Sequence, residues 1–254
     1  MRIIICETPD ELGQIGADIV LHGTESGSLR VLGVATGSSP LPVYRSLAER
    51  WIPQFSTLSA FALDEYVGLP YEHPESYHSV IRREVTDPLR LDPSRVHVPD
   101  GLASDLAKAS SEYENSIRVA GGIDLQILGI GSTGHIGFNE PMSSLSSRTR
   151  ATTLAPQTRA DNARFFARAE DVPLHCVTQG LGTIREARQI LLVAHGEAKA
   201  SAIARAIEGP VSSACPASVL QLHDDVTVVL DRAAASRLEF IDYYEFLAAH
   251  PVGA

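Results

Sequence analysis

Short apolar runs alternate with amphipathic stretches from one end of the chain to the other. The runs Arg2–Cys6, Arg30–Ala35, Ser59–Leu63, Leu125–Ile130, Gln189–Ala194 and Val226–Leu230 predict strands. Several are apolar nearly throughout, as strands buried on both faces are. Between them, helical spacing predicts helices over Asp10–His22, Leu41–Glu49, Ser104–Ala120, Thr158–Ala167 and Glu197–Ile207. Strand, helix, strand in series implies right-handed crossovers and a mainly parallel sheet. The expected fold class is therefore α/β, a Rossmann-like three-layer α/β/α arrangement. No Pro/Gly/Ser-rich stretch, charge block or repeat divides the 254 residues, so residues 1–254 are expected to form one domain.

Composition narrows the partners. With 44% hydrophobic and 20% charged residues the chain is ordinary for a globular protein. The formal net charge of −10 is spread along the sequence without a Lys/Arg run, which excludes an electrostatic footprint for nucleic acid. An anionic ligand would need a few local cations and backbone N–H groups. Cys6, Cys176 and Cys215 are scattered, with no CxxC pair; they read as reduced thiols, neither a disulfide framework nor a zinc site. The apolar start of the chain is too short for a signal peptide, and no stretch reaches transmembrane length. A soluble, cytoplasmic protein with no membrane partner is expected.

Ligands of open parallel sheets bind beyond the carboxyl ends of the strands, so the residues just after each strand carry the candidate chemistry. Thr36-Gly37-Ser38-Ser39-Pro40 is either an ordinary capped turn or an anion cradle of backbone N–H groups and hydroxyls at a helix start. Lys199 falls in the first turn of the helix after Gln189–Ala194, where the macrodipole disfavours a cation unless a bound anion offsets it. A solvated lysine is the plainer alternative. Asp64-Glu65 follows Ser59–Leu63 and offers a base with a perturbed pKa, or a helix cap beside a solvated acid. Successive strand side chains point apart, so the two acids are not expected to serve one atom. After Leu125–Ile130, four glycines fall between Gly129 and Gly137 and surround His135, with Glu140 five residues on. This is a shaped loop carrying an acid/base candidate and a carboxylate to fix its tautomer.

Leu63-Asp64-Glu65-Tyr66-Val67-Gly68-Leu69, followed by His73-Pro74-Glu75-Ser76-Tyr77, resembles the signature of the glucosamine-6-phosphate deaminases. Gly134-His135-Ile136-Gly137-Phe138-Asn139-Glu140-Pro141 matches their second motif, and Ser143–Arg150 and Thr158–Phe166 continue the likeness in order. The resemblance runs from the first strand to about Leu230. It implies conversion of glucosamine 6-phosphate to fructose 6-phosphate and ammonia, without metal, nucleotide or redox cofactor. It assigns Asp64 as the base at C2 and His135 as the ring-opening proton shuttle, with Glu140 orienting it. It gives the phosphate to Arg159, Lys199 and the Thr36–Ser39 loop. A mobile lid is expected around residues 150–175, and a homo-oligomer is one possible assembly.

Two positions depart from the family pattern. Many members carry Asp or Asn where this chain has Thr133, so ring opening is expected to be slower or to lean more on Glu140. Allosterically activated members carry Lys at the place of Thr152, although Arg150 is retained, so weak or absent activation by N-acetylglucosamine 6-phosphate is expected. The related readings are a galactosamine-6-phosphate deaminase, a 6-phosphogluconolactonase and a non-catalytic sugar-phosphate sensor. The lactonases usually continue the Gly-His segment into Ser-Leu-Phe-Pro, where Phe138-Asn139-Glu140-Pro141 stands here. Sensors on this fold usually begin with a helix-turn-helix, and none is expected ahead of the first strand at Arg2.

Overall fold

In the computed structural model, which describes residues 1–250, ten strands form two sheets. They are β1 (Arg2–Cys6), β2 (Val31–Val34), β3 (Ser59–Ala62), β4 (Asp64–Tyr66), β5 (Val96–His97), β6 (Leu125–Leu128), β7 (Arg150–Thr153), β8 (His175–Thr178), β9 (Gln189–Ala194) and β10 (Val226–Asp231). The main sheet has the order β1-β10-β9-β6-β2-β3-β5, and all its pairings are parallel. The last four residues of the expected domain, 251–254, lie outside the described part.

Alternation along the strands sends side chains to opposite faces of the sheet. Ile190, Leu192 and Ala194 of β9 join one apolar cluster with Leu128, Val228 and Leu230. Leu191 and Val193 join another with Leu32, Val34, Leu125 and Ile127. Helices cover both clusters, so the strands read as apolar runs because neither face meets water. Helix Pro9–Glu25 shows the local logic. Thr8 caps it by accepting from the Glu11 N–H at 3.1 Å, Pro9 opens the first turn, and Leu12, Ala17, Val20 and Leu21 face inward.

The six expected strands are all present, but several end early: β2 at Val34, β3 at Ala62 and β6 at Leu128. Their last apolar residues leave the ladder to shape the loops at the carboxyl edge. The expected helix Thr158–Ala167 spans Pro156–Asn162 and tightens into a 3-10 turn at Ala163–Phe165. The helix expected from Glu197 begins with a 3-10 turn, Glu197–Lys199, and is α-helical only over Ala200–Ile207.

A second, antiparallel sheet of order β4-β8-β7 stands beyond the carboxyl edge of the main one. Its own small core gathers Tyr66, Phe138, Leu154, Val172 and Cys176. The sheet ties the segment after β3 to both ends of the segment 154–174, and so sets a wall and a roof over the strand ends.

Candidate active site

The chain leaves β3 at Ala62, and the Leu63 N–H still donates to the Val34 carbonyl at 3.1 Å. One residue later Asp64 opens β4 and pairs with Thr178 of β8. Asp64 therefore sits at the junction of the two sheets, 4% exposed. Among the described residues no donor bonds its carboxylate. Burial, and after it the neighbouring Glu65, pushes its pKa well above the usual carboxylate range.

Glu65 points the other way, as the strand period requires. It is fully buried and accepts the N–H groups of Tyr66 (2.7 Å), Tyr77 (2.9 Å) and His78 (3.0 Å), with His78 Nδ1 at 2.8 Å. It caps helix Tyr77–Ile81 together with Ser76. Of the two adjacent acids, one faces the cavity and one holds the scaffold.

The loop after β6 is shaped around His135. The imidazole lies directly on Gly131, where a Cβ would come within 2.1 Å of the ring, so only glycine fits. Gly137 takes φ 55°, and a side chain there would press on Thr178 at 2.9 Å and on Asp64 Oδ2 at 3.5 Å. His135 Nδ1 lies 2.9 Å from the Thr133 hydroxyl and 3.4 Å from Glu140 Oε2. A carboxylate only accepts, so it favours a proton on Nδ1 and leaves Nε2 as the nitrogen with a free lone pair. Nε2 has no hydrogen-bond partner among the described residues. Glu140 also accepts the Ala155 N–H at 3.2 Å. Burial alone would raise its pKa, but the nearby His135 and Thr158 side chains and the Ala155 N–H together hold it below the ordinary value. Glu140 does not itself line the cavity; it reaches the chemistry through His135.

At the other end of the space, Thr36-Gly37-Ser38-Ser39 joins β2 to helix Leu41–Glu49, with Gly37 at φ 93°. Lys199 ends the turn after β9, itself preceded by Gly196 at φ 86°. Burial lowers the Lys199 pKa, Asp161 works against that and Arg164 adds to it. A partly desolvated ammonium of this kind is favoured by an arriving anion.

Asp64, His135, Thr36, Gly37, Ser38, Ser39 and Lys199 all line one cavity of about 520 Å³. Arg159 does not. Its Nε and Nη2 donate to the Val172 carbonyl at 3.2 and 2.7 Å, which pins helix Pro156–Asn162 to the segment before β8. Thr158, Asp161 and Asn162 recur at helical spacing and face the cavity, and Arg159 falls off that stripe. Arg164, in the following 3-10 turn, lines the cavity instead. Among the residues not singled out from the sequence are Arg164, His195, Tyr66, Tyr77 and Asn162, all lining the same space. Arg164 lay inside the quoted Thr158–Phe166 motif, but no spacing rule separates it from Arg159, because the helix turns 3-10 after Asn162.

No group of three or more His, Cys, Asp or Glu among the described residues is arranged to hold a metal ion. The three cysteines are free and buried. No described helix is long and apolar enough to cross a membrane.

Comparisons with known proteins identify the family. The family described as glucosamine-6-phosphate isomerases/6-phosphogluconolactonase matches residues 17–229. The chain is 56% identical over 253 residues to a protein of Rhodococcus opacus named glucosamine-6-phosphate deaminase, covering 98% of this chain and 97% of that one. A protein of the same name from Streptomyces coelicolor is 51% identical over 255 residues, at 98% and 97% coverage. A solved structure described as a monomeric glucosamine-6-phosphate deaminase superposes with TM-score 0.90 at 41% identity, over 93% of this chain and all of that one. The 6-phosphogluconolactonase of Leishmania guyanensis shares the fold, with TM-score 0.74 at 18% identity over 92% of this chain and 97% of that one. The chain belongs to the glucosamine-6-phosphate isomerase/6-phosphogluconolactonase family.

Proposed function

We propose that this chain isomerises and deaminates D-glucosamine 6-phosphate to D-fructose 6-phosphate and ammonia. The observation that carries the reading is the cavity itself: a buried carboxylate without hydrogen-bond donors and an oriented imidazole share it with a glycine-hydroxyl loop and a half-buried lysine. Those are the parts the chemistry needs. His135, held by Glu140 and Thr133 at Nδ1, uses Nε2 to move a proton from O1 to O5 and open the sugar ring. The C2 hydrogen then lies next to a carbonyl, and Asp64, with its raised pKa, is matched to removing it and returning a proton to C1. Water adds to the resulting imine at C2, and ammonia leaves. The phosphate rests on Thr36, Gly37, Ser38 and Ser39, with Lys199 and Arg164 supplying charge. The reading gives Arg159 a supporting place, holding the lid helix to the Val172 carbonyl.

The segment around 150–175 serves as the lid of this one-domain enzyme. Its ends are fixed in β7 and β8, while Asp161, Asn162, Arg164 and Phe166 hang over the cavity between them. Closure excludes water from the enolisation step. The cytoplasm suits an enzyme with free, buried thiols and a phosphorylated substrate. The relatives at 50% identity and above that carry the deaminase name favour this activity over lactone hydrolysis.

The test is ammonia release from glucosamine 6-phosphate by the wild type and by Asp64→Asn, with galactosamine 6-phosphate as the competing epimer. Loss of turnover with retained fructose 6-phosphate binding supports the assigned base. Full turnover by the variant removes Asp64 from the mechanism, and preference for the C4 epimer reassigns the substrate.

A further inference from the structure

His195 is the first residue after β9, and it lines the cavity beside the Thr36–Ser39 loop and Lys199. Its Nε2 lies 3.3 Å from the Ser38 backbone carbonyl. A carbonyl has no hydrogen to give, so Nε2 must carry the proton and donate it. The turn behind it is fixed. Gly196 adopts φ 86°, and its N–H donates to both carboxylate oxygens of Asp231 at 3.0 Å. The imidazole therefore stands on a rigid support and reaches across to the loop from a neighbouring strand end.

We infer that His195 is a positioning residue of the anion cradle, latching the Ser38 carbonyl and adding a positive charge to the phosphate subsite when the ring protonates. The inference rests on the function proposed above. Both charge states donate from Nε2, so protonation keeps the latch and changes only the field. No rearrangement is needed for the subsite to gain a cation. Charged groups stand on several elements around the ring, and Glu75, Arg83 and Glu84 line the same cavity from the segment after β4. Its own segment supplies Glu197, exposed, and Lys199. The end of β10 supplies Asp231, already satisfied by the N–H groups of Gly196 and Ala234. The lid supplies Asp161 and Arg164, and the Thr36–Pro40 loop contributes no titratable side chain. Imidazole is the side chain whose charge changes nearest neutrality, so a pH series is the experiment that reads its contribution.

Two variants separate the latch from the charge. His195→Gln keeps an N–H donor toward Ser38 and cannot be protonated; His195→Leu loses both. KM and kcat for glucosamine 6-phosphate are measured for all three proteins between pH 5.5 and 8. The substrate phosphate also titrates in this window, with a second pKa near 6, but it does so equally for every protein, so the ratio of KM values isolates His195. The KM of the Gln variant is expected to match wild type at pH 8 and to exceed it about three- to tenfold at pH 6, an effect on KM rather than kcat. The Leu variant is expected to bind more weakly at both ends of the range. A Gln to wild-type KM ratio that is the same at pH 6 and pH 8 overturns the inference. Calorimetric titration with fructose 6-phosphate reads the cradle without chemistry. Binding with the expected pH pattern but no ammonia release would sink the deaminase reading and leave His195 in place, while an active enzyme with a flat ratio does the reverse.

Discussion

Asp64→Asn should cut turnover sharply and, at the same time, stabilise the protein. The carboxylate is 4% exposed and takes no hydrogen bond among the described residues, with Glu65 as its neighbour in sequence. Leaving a buried polar acceptor unsatisfied costs about 1–3 kcal/mol, and more when it is charged. An amide of the same shape inherits the unfilled site but not the charge, so a gain of about 1–2 kcal/mol is expected. For a domain of this size that corresponds to roughly 2–8 °C in melting temperature. The pH dependence fixes the cause. Burial foremost, then Glu65, raises the pKa of Asp64 in the folded state above that of the unfolded chain. The wild type therefore holds its full stability relative to Asn only below the unfolded value of about 4, and loses it as pH rises through the raised folded value. Thermal unfolding followed by circular dichroism at pH 5 and pH 8 reads this directly, with the advantage of Asn larger at pH 8. Ammonia release by the same samples should fall by about 10²–10⁴. A variant less stable than wild type at pH 8, or one with the same gain at both pH values, would refute the claim that burying the Asp64 carboxylate costs stability for the sake of the reaction.

Other substitutions test the remaining parts. Glu65→Ala strips the acceptor from three backbone N–H groups and from His78, and should cost about 2–4 kcal/mol in denaturant unfolding; a change below about 0.5 kcal/mol would make the cap redundant. Arg164→Ala should raise KM about tenfold or more, whereas Arg159→Ala should chiefly lower the melting temperature by freeing the Val172 carbonyl; the opposite ranking would return the phosphate contact to Arg159. Thr133→Asp places a charge where a hydroxyl now meets His135 Nδ1 at 2.9 Å, and should speed ring opening and shift the pH profile of kcat; an unchanged profile would show that Glu140 already suffices. With Thr152 present, and Arg150 bonded to Asn139 at 3.0 Å and Ser143 at 3.2 Å, initial rates should be hyperbolic and insensitive to N-acetylglucosamine 6-phosphate. Sigmoidal rates abolished by that compound would contradict this.

Six strands of the main sheet were legible because buried parallel strands write themselves as apolar runs, while the seventh, the two-residue β5, was not; the carboxyl-edge rule then pointed to Asp64, His135, the Thr36–Ser39 loop and Lys199 as neighbours. The structure brings all of these to one cavity. The second sheet was not legible, for a physical reason. Its strands are three or four residues long, and β7, Arg-Ala-Thr-Thr, alternates between partly buried and exposed positions without one apolar residue larger than Ala. Such segments become strands only because partners distant in sequence supply the ladder, and no local period announces them.

Arg159 and Arg164 show where the limit of motif reading lies. Likeness to a family transfers a role to a motif, but the side chain that performs it is chosen by helical phase and by what its neighbours already bind. Within Pro156–Asn162 the cavity stripe is Thr158, Asp161 and Asn162, which leaves position 159 to point away and find the Val172 carbonyl. Arg164 escapes that phase because the helix tightens to 3-10 at Ala163, turning the next cation back over the cavity toward Lys199. A change of helix type after Asn162, which no composition or spacing rule marks, thus decides which of two arginines a phosphate would meet.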